Sequence, residues 1–138
     1  MKRISIAFAL LCCACATEPE PVTWGLASLI SGDPRQIAAP DTVRVGVAFE
    51  TTVTYYGSGT SDCNYPDGTT VSYVADVVRI QVFSKRPLST TICTDDLRPY
   101  PQVVSTAISS AGVYRIRLVG RGIATATDSV ERSVVVIP

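Results

Sequence analysis

From Trp24 onward, apolar and polar residues alternate with a period of two over most of the chain. Phe49, Thr51, Val53 and Tyr55 form one face of a run whose other face carries Glu50, Thr52 and Thr54. Val71, Tyr73 and Ala75 repeat the pattern, and Val78, Ile80 and Val82 follow with Arg79 and Gln81 opposite. Tyr114, Ile116 and Leu118 alternate with Arg115 and Arg117, and residues 130–137 close the chain in β-branched residues. Shorter runs lie at Trp24, Leu26, Ser28 and Ile30, at residues 37–39 and at 102–109. Breaks fall at Gly32-Asp33-Pro34, Pro40-Asp41, Gly57-Ser58-Gly59, Pro66-Asp67-Gly68 and a Pro99-Tyr100-Pro101 loop. Alternation fits strands half-buried in a sheet, and no amphipathic period of 3.6 interrupts it. The pattern predicts an all-β domain of about seven or eight short strands, a single antiparallel β-sandwich. A small barrel satisfies the same alternation.

The first residues carry a different message. Lys2 and Arg3 precede an apolar run over residues 4–11, and Thr17-Glu18-Pro19-Glu20-Pro21 ends it. The run is about half the ~20 residues a spanning helix needs, so residues 1–14 read as an export signal. Leu11-Cys12-Cys13-Ala14-Cys15-Ala16 resembles the lipobox of bacterial lipoproteins. That pattern places an aliphatic residue three positions before the modified cysteine and a small one directly before it. Cys15 follows the small Ala14, whereas Cys13 has Leu10 at the right distance but the bulkier Cys12 before it. The small residue at the cleaved bond is the stricter steric demand, so Cys15 is the expected lipidation site. The resemblance implies a thioether-linked diacylglycerol and an N-acyl chain. Several chains at ~0.8 kcal/mol per buried methylene make a stable membrane anchor. Ala16 after the cysteine resembles the pattern that permits export to the outer membrane, facing the periplasm or the exterior. The competing reading is an ordinary signal that is cleaved to release a soluble protein.

Residues 15–23 then form an acidic, proline-bearing tether, and 24–138 the folded domain. Eight proline-stiffened residues reach about 25 Å at ~3.1 Å each, which keeps the domain close to the bilayer. The chain has five cysteines. Loss of Cys12 and Cys13 with the signal and acylation of Cys15 leaves Cys63 and Cys93. An oxidising compartment joins them in one disulfide. Closing a loop of about 30 residues restricts the unfolded chain by roughly 3.6 kcal/mol in the entropy model. Two free thiols are the alternative, and they require a reducing compartment.

Ser110-Ala111-Gly112-Val113-Tyr114-Arg115-Ile116-Arg117-Leu118 resembles the penultimate strand of bacterial immunoglobulin-like domains. There a small-residue and glycine turn precedes a Tyr-x-aliphatic-x-aliphatic strand. Gly112 matches the turn and Tyr114 the corner tyrosine, with Ser110 where an aspartate is usual. Pro40-Asp41-Thr42-Val43-Arg44-Val45-Gly46 resembles the early turn and strand, and Cys63 with 93–98 is similar to small lipoproteins carrying such domains. The resemblance implies an immunoglobulin-like sandwich and says nothing of a ligand.

Composition narrows the chemistry. There is no histidine, and twelve basic residues balance twelve acidic ones. Histidine-dependent triads and histidine-ligated zinc are excluded, and no global charge draws the chain to nucleic acid. Asp95-Asp96 with Asp62, Asp67 and Asn64 is a conceivable calcium cluster, but it lacks the spaced carboxylates of a calcium loop and reads as turn capping. Gly57-Ser58-Gly59-Thr60-Ser61 precedes no helix, so it reads as a hairpin tip and not an anion loop. Ser84 and Lys85 would both face solvent, which leaves the lysine too basic for a dyad. No catalytic, cofactor-binding or metal residue is therefore assigned.

Two surfaces remain. Arg115 and Arg117 with Arg79, Arg121 and Arg132 form a basic stripe for anionic headgroups, polysaccharide or a protein, or else a solvated outer face. Tyr55, Tyr56, Tyr65, Tyr73 and Tyr100 cluster by sequence around the bridged loops, where binding surfaces of such scaffolds lie. The expectation is a non-catalytic envelope lipoprotein, held by its lipid, with an envelope protein or glycan as partner. The alternative is a small secreted binder or enzyme inhibitor offering a disulfide-constrained loop over residues 64–76.

Overall fold

Runs of valine, isoleucine, threonine and tyrosine suit a pleated, half-buried surface, and they set the architecture. The computed structural model describes residues 22–58, 65–87, 97–122 and 127–138. The strands are β1 (Val22–Leu26), β2 (Ser28–Leu29), β3 (Ile37–Ala38), β4 (Thr42–Arg44), β5 (Phe49–Ser58), β6 (Tyr65–Val74), β7 (Val77–Pro87), β8 (Leu97–Thr106), β9 (Gly112–Gly122) and β10 (Thr127–Ile137). One 3₁₀ turn spans Pro34–Gln36, and there is no α-helix among the described residues. The protein is all-β.

The strands belong to one mixed, curled sheet. One half runs β6-β7-β9-β10-β4, the other joins β8, β5 and β3, and β2 pairs with both β9 and β5. The expected purely antiparallel arrangement is corrected: β7 with β9, β2 with β9 and β4 with β10 are parallel. The connectivity explains the first of these. After β7 the chain crosses to the other half, forms β8 against β5, and returns as β9 in the direction of β7. Ten strand segments replace the expected seven or eight because the two-residue β2 and β3 and the three-residue β4 separate from their neighbours.

Ala27 marks the fork. Its N–H donates to the Val82 carbonyl on β7 at 2.9 Å, and its carbonyl accepts from Arg121 N–H on β9 at 2.8 Å. The small residue lets the N-terminal strand enter where β7 and β9 part. This reverses the expected phase of the segment: Ala27 and Leu29 are fully buried, while Leu26 and Ile30 are only partly so. Gly120 makes room for them, since a Cβ there would lie 2.5 Å from the Ala27 carbonyl oxygen and 2.6 Å from Leu29 Cγ.

Two expected turns are strand. Pro66-Asp67-Gly68 is a bulge inside β6, with Gly68 at φ +125° where the register to β7 shifts. Pro99 and Pro101 lie in β8, which pairs only with β5, and an edge strand tolerates prolines that donate nothing outward. The β6–β7 turn falls instead at Ala75-Asp76, with Ala75 at φ +52°.

The alternating faces predicted for β5, β7 and β9 close, together with β10, over a single core. Val53, Tyr55, Val78, Ile80, Ile116, Leu118 and Val134 are fully buried there. Gln36 ties down the segment between β2 and β3. Its amide donates to the Ile30 carbonyl at 2.7 Å and its Oε1 accepts from Ile30 N–H at 3.1 Å.

The strand ends define two poles. Ser58 pairs with Leu97, Val22 with Pro87 and Tyr65 with Lys85, so 59–64, 88–96 and the residues before 22 attach at one pole. At the other pole, Gly46 N–H donates to the Ile108 carbonyl at 2.8 Å, and the Ala75 turn adjoins the turn over 107–110.

Candidate binding face on the open sheet

The core claims one face of β7, β9 and β10, and the other is left to solvent. Period-two alternation and aligned register stack the outward residues in rows. Ser72, Arg79, Arg117 and Glu131 form the central row. Thr70, Gln81, Val119 and Ser129 form the row toward the loop pole, and Val74, Val77, Arg115 and Ser133 the row toward the other. Arg121 lies beyond Val119 on the same strand face and pairs in register with Thr127.

A depression of about 420 Å³ is lined by Val74, Val77, Arg79, Arg117, Val119, Thr127, Asp128 and Ser129. Its floor is valine, its centre two arginines and its rim the hydroxyls of Thr127 and Ser129. The main-chain groups beneath are used in the β7–β9 and β9–β10 ladders, so recognition falls to side chains.

Charge on this face is unevenly neutralised. Arg117 Nε donates to Glu131 Oε1 at 2.5 Å, and Arg115 Nη1 lies 3.7 Å from Glu131 Oε2. Arg115 also reaches Asp76 at 3.2 Å across the β6–β7 turn. Arg79 has no ion pair or side-chain hydrogen bond among the described residues, although it stands directly beside Arg117. Like charges directly opposite across a sheet are unfavourable unless an anion lies between them. Asp128 accepts from the Ser31 hydroxyl and from Ser129 N–H, which together hold its carboxyl below the ordinary 3.8.

Of the expected basic stripe, Arg79, Arg115, Arg117 and Arg121 share this face. Arg132 does not. It has the inward parity of Val130 and Val134 and reaches past the sheet edge to Asp41 at 2.8 Å. The tyrosines also separate. Tyr55 is fully buried and stacks on Tyr100 with ring centroids 5.4 Å apart, while the exposed Tyr73 lies at the pole opposite the predicted contact loops. With Tyr114 and residues 107–110, Tyr73 lines a second depression of about 310 Å³. Ser110 Oγ and Tyr114 OH share a 2.5 Å hydrogen bond, and Gly112 takes φ +150° at the start of β9.

No protein-family model, curated protein or solved structure matches this chain.

Cys15, Cys63 and Cys93 lie outside the described residues, as do Asp62, Asn64, Asp95 and Asp96. Asp67 is described, and it forms an ion pair with Lys85. Among the described residues no three His, Cys, Asp or Glu gather as metal ligands. Sequence reasoning identified the arginines by alternation on β9. It missed the valine floor and the rim of Thr127 and Ser129, because these meet only through the parallel β7–β9 register.

Proposed function

We propose that this protein is a non-catalytic envelope lipoprotein, anchored through Cys15, whose immunoglobulin-like sandwich presents a binding face beside a membrane. The observation that carries the binding role is the uncovered sheet face with its cation excess at Arg79 and Arg117. The export signal and lipobox resemblance support the anchor. Two sheet halves folded over one core favour the sandwich over a small barrel. The Cys63–Cys93 bridge is favoured by register, since Ser58 and Leu97 are partners and each sits a few residues from one cysteine. A partner among envelope proteins or glycans follows from the location, and no nucleic acid or cofactor is called for.

The test is an intact mass of protein purified from a bacterial envelope, before and after reduction. The expected mass is residues 15–138 plus acyl chains, with two hydrogens gained on reduction. An unlipidated species beginning after residue 15 overturns the anchor and puts a secreted binder or inhibitor in its place.

A further inference from the structure

We infer that the depression between Arg79 and Arg117 binds an acidic saccharide, a sugar bearing a carboxylate or phosphate group. This deepens the proposed role as an envelope binding module, and it rests on that reading for where the ligand is met.

The lining specifies the ligand in three parts. Arg79 and Arg117 are register partners on parallel strands, so their guanidinium groups rise from adjacent backbones on one face. Arginine forks suit a planar carboxylate or a phosphate, and an anion between them relieves the repulsion the sheet otherwise carries. Val77 and Val119 provide an apolar floor for the C–H face of a sugar ring. Thr127 and Ser129 stand at the rim, where their hydroxyls match ring hydroxyls. About 420 Å³ falls within the ~300–1,000 Å³ span of small-molecule sites. An acidic peptide fits less well: its amides would need main-chain partners, and those beneath this face are committed to the sheet ladders.

Glu131 sets the affinity. It neutralises Arg117 and shares Arg115, so it competes with the incoming anion for the same guanidinium. Arg79 has no such competitor among the described residues and makes the first contact.

The experiment is calorimetric titration of the full-length protein in detergent with tri-galacturonate, glucose 6-phosphate, inorganic phosphate, maltotriose, hexaglutamate and glycerol phosphate, the soluble headgroup of phosphatidylglycerol. Tri-galacturonate or glucose 6-phosphate is expected to bind, more weakly at higher salt, and maltotriose not at all. Arg79→Gln should weaken binding at least tenfold without loss of thermal stability, since it breaks no ion pair or hydrogen bond among the described residues. Glu131→Gln should tighten binding two- to threefold, an outcome that a merely structural carboxylate would not give. Arg44→Gln, in β4 and outside the pocket, should leave binding unchanged. Equal binding of inorganic phosphate and the sugar phosphate overturns the saccharide, as does a preference for hexaglutamate or for glycerol phosphate. Absence of binding to every probe overturns the site. None of these readouts requires the acyl chains, so failure here is separate from an intact mass that denies the anchor.

Discussion

At the scale of single residues, one aromatic among the described residues carries an uncompensated polar atom. Tyr55 is fully buried and its hydroxyl has no hydrogen-bond partner. Burial, helped by the nearby Tyr100, raises its phenol above the ordinary 10.0. A group whose folded pKa is raised contributes stability below its unfolded pKa and loses it as pH climbs above that value. Unfolding free energy should therefore fall above about pH 10, and Tyr55→Phe should flatten that fall. The same variant should be about 1 kcal/mol more stable at pH 7, because an unmet polar group leaves the core while the ring stack with Tyr100 stays. Urea denaturation at pH 7 and pH 10.5 measures both; a destabilised Tyr55→Phe at neutral pH would refute the account. Gly120 gives the opposite case. A Cβ there meets the Ala27 carbonyl and Leu29 at distances that real side chains do not reach, and the neighbour is backbone. Gly120→Ala should cost about 3 kcal/mol by the same denaturation, since the fork cannot widen without losing its hydrogen bonds.

At the scale of elements, the strands whose face is set by burial were legible from alternation alone. Residues 49–55, 78–82 and 114–118 have the predicted inward set, whereas on β10 Arg132, expected in the outward stripe, takes the inward phase with Val130 and Val134. Illegible were the elements whose placement depends on a distant partner. Leu29 is buried because Gly120 admits it, and Pro99 and Pro101 stay in strand because β8 is an edge. The Ala75 turn carries no glycine, so local chemistry gave no signal for it. The segment between β2 and β3 shows how such an element is held. Asp33 caps the 3₁₀ turn, accepting from Arg35 N–H at 3.1 Å and from its guanidinium at 2.8 and 3.0 Å. The Arg35 side-chain bonds hold the Asp33 carboxyl below 3.8 despite the opposing effect of burial, and Asp128 is lowered by Ser31 and Ser129. Depressed carboxylates contribute stability above their unfolded pKa and lose it as pH falls through the folded one. The 30–36 segment should therefore loosen below about pH 4 before the β7–β9–β10 core does. Hydrogen exchange of Ile30 and Gln36 amides should accelerate there ahead of Ile116 and Leu118. Asp128→Asn should bring that loosening to neutral pH, and unchanged exchange in this variant would disprove the coupling.

At the scale of the whole molecule, topology gives the domain a direction. β1 begins at Val22 beside Pro87, at the pole where β5 and β7 end and β6 and β8 begin. The β6–β7 turn and the turn before Gly112 lie at the other pole. An eleven-residue strand such as β7 spans roughly 35 Å at ~3.3 Å per residue. A proline-bearing tether between Cys15 and Val22 reaches at most about 25 Å, less than the height of the domain. An anchor at Cys15 thus holds the loop pole near the bilayer and keeps the Tyr73 pole away from it. With that anchor the arginine face, running between the poles, would stand upright beside the membrane and open to a ligand arriving laterally. This orientation predicts a gradient along β9. In nanodiscs containing a gadolinium-chelating lipid, amide signals of Arg121 and Gly122 should broaden more than those of Gly112 and Tyr114. The amides of Val74 and Asp76 should be least affected. Equal broadening along β9 would mean that the sheet lies flat on the bilayer, with the arginine face taken up by headgroups. Broadening nowhere above a lipid-free control would mean that no anchor is present, an outcome that the intact mass reports independently.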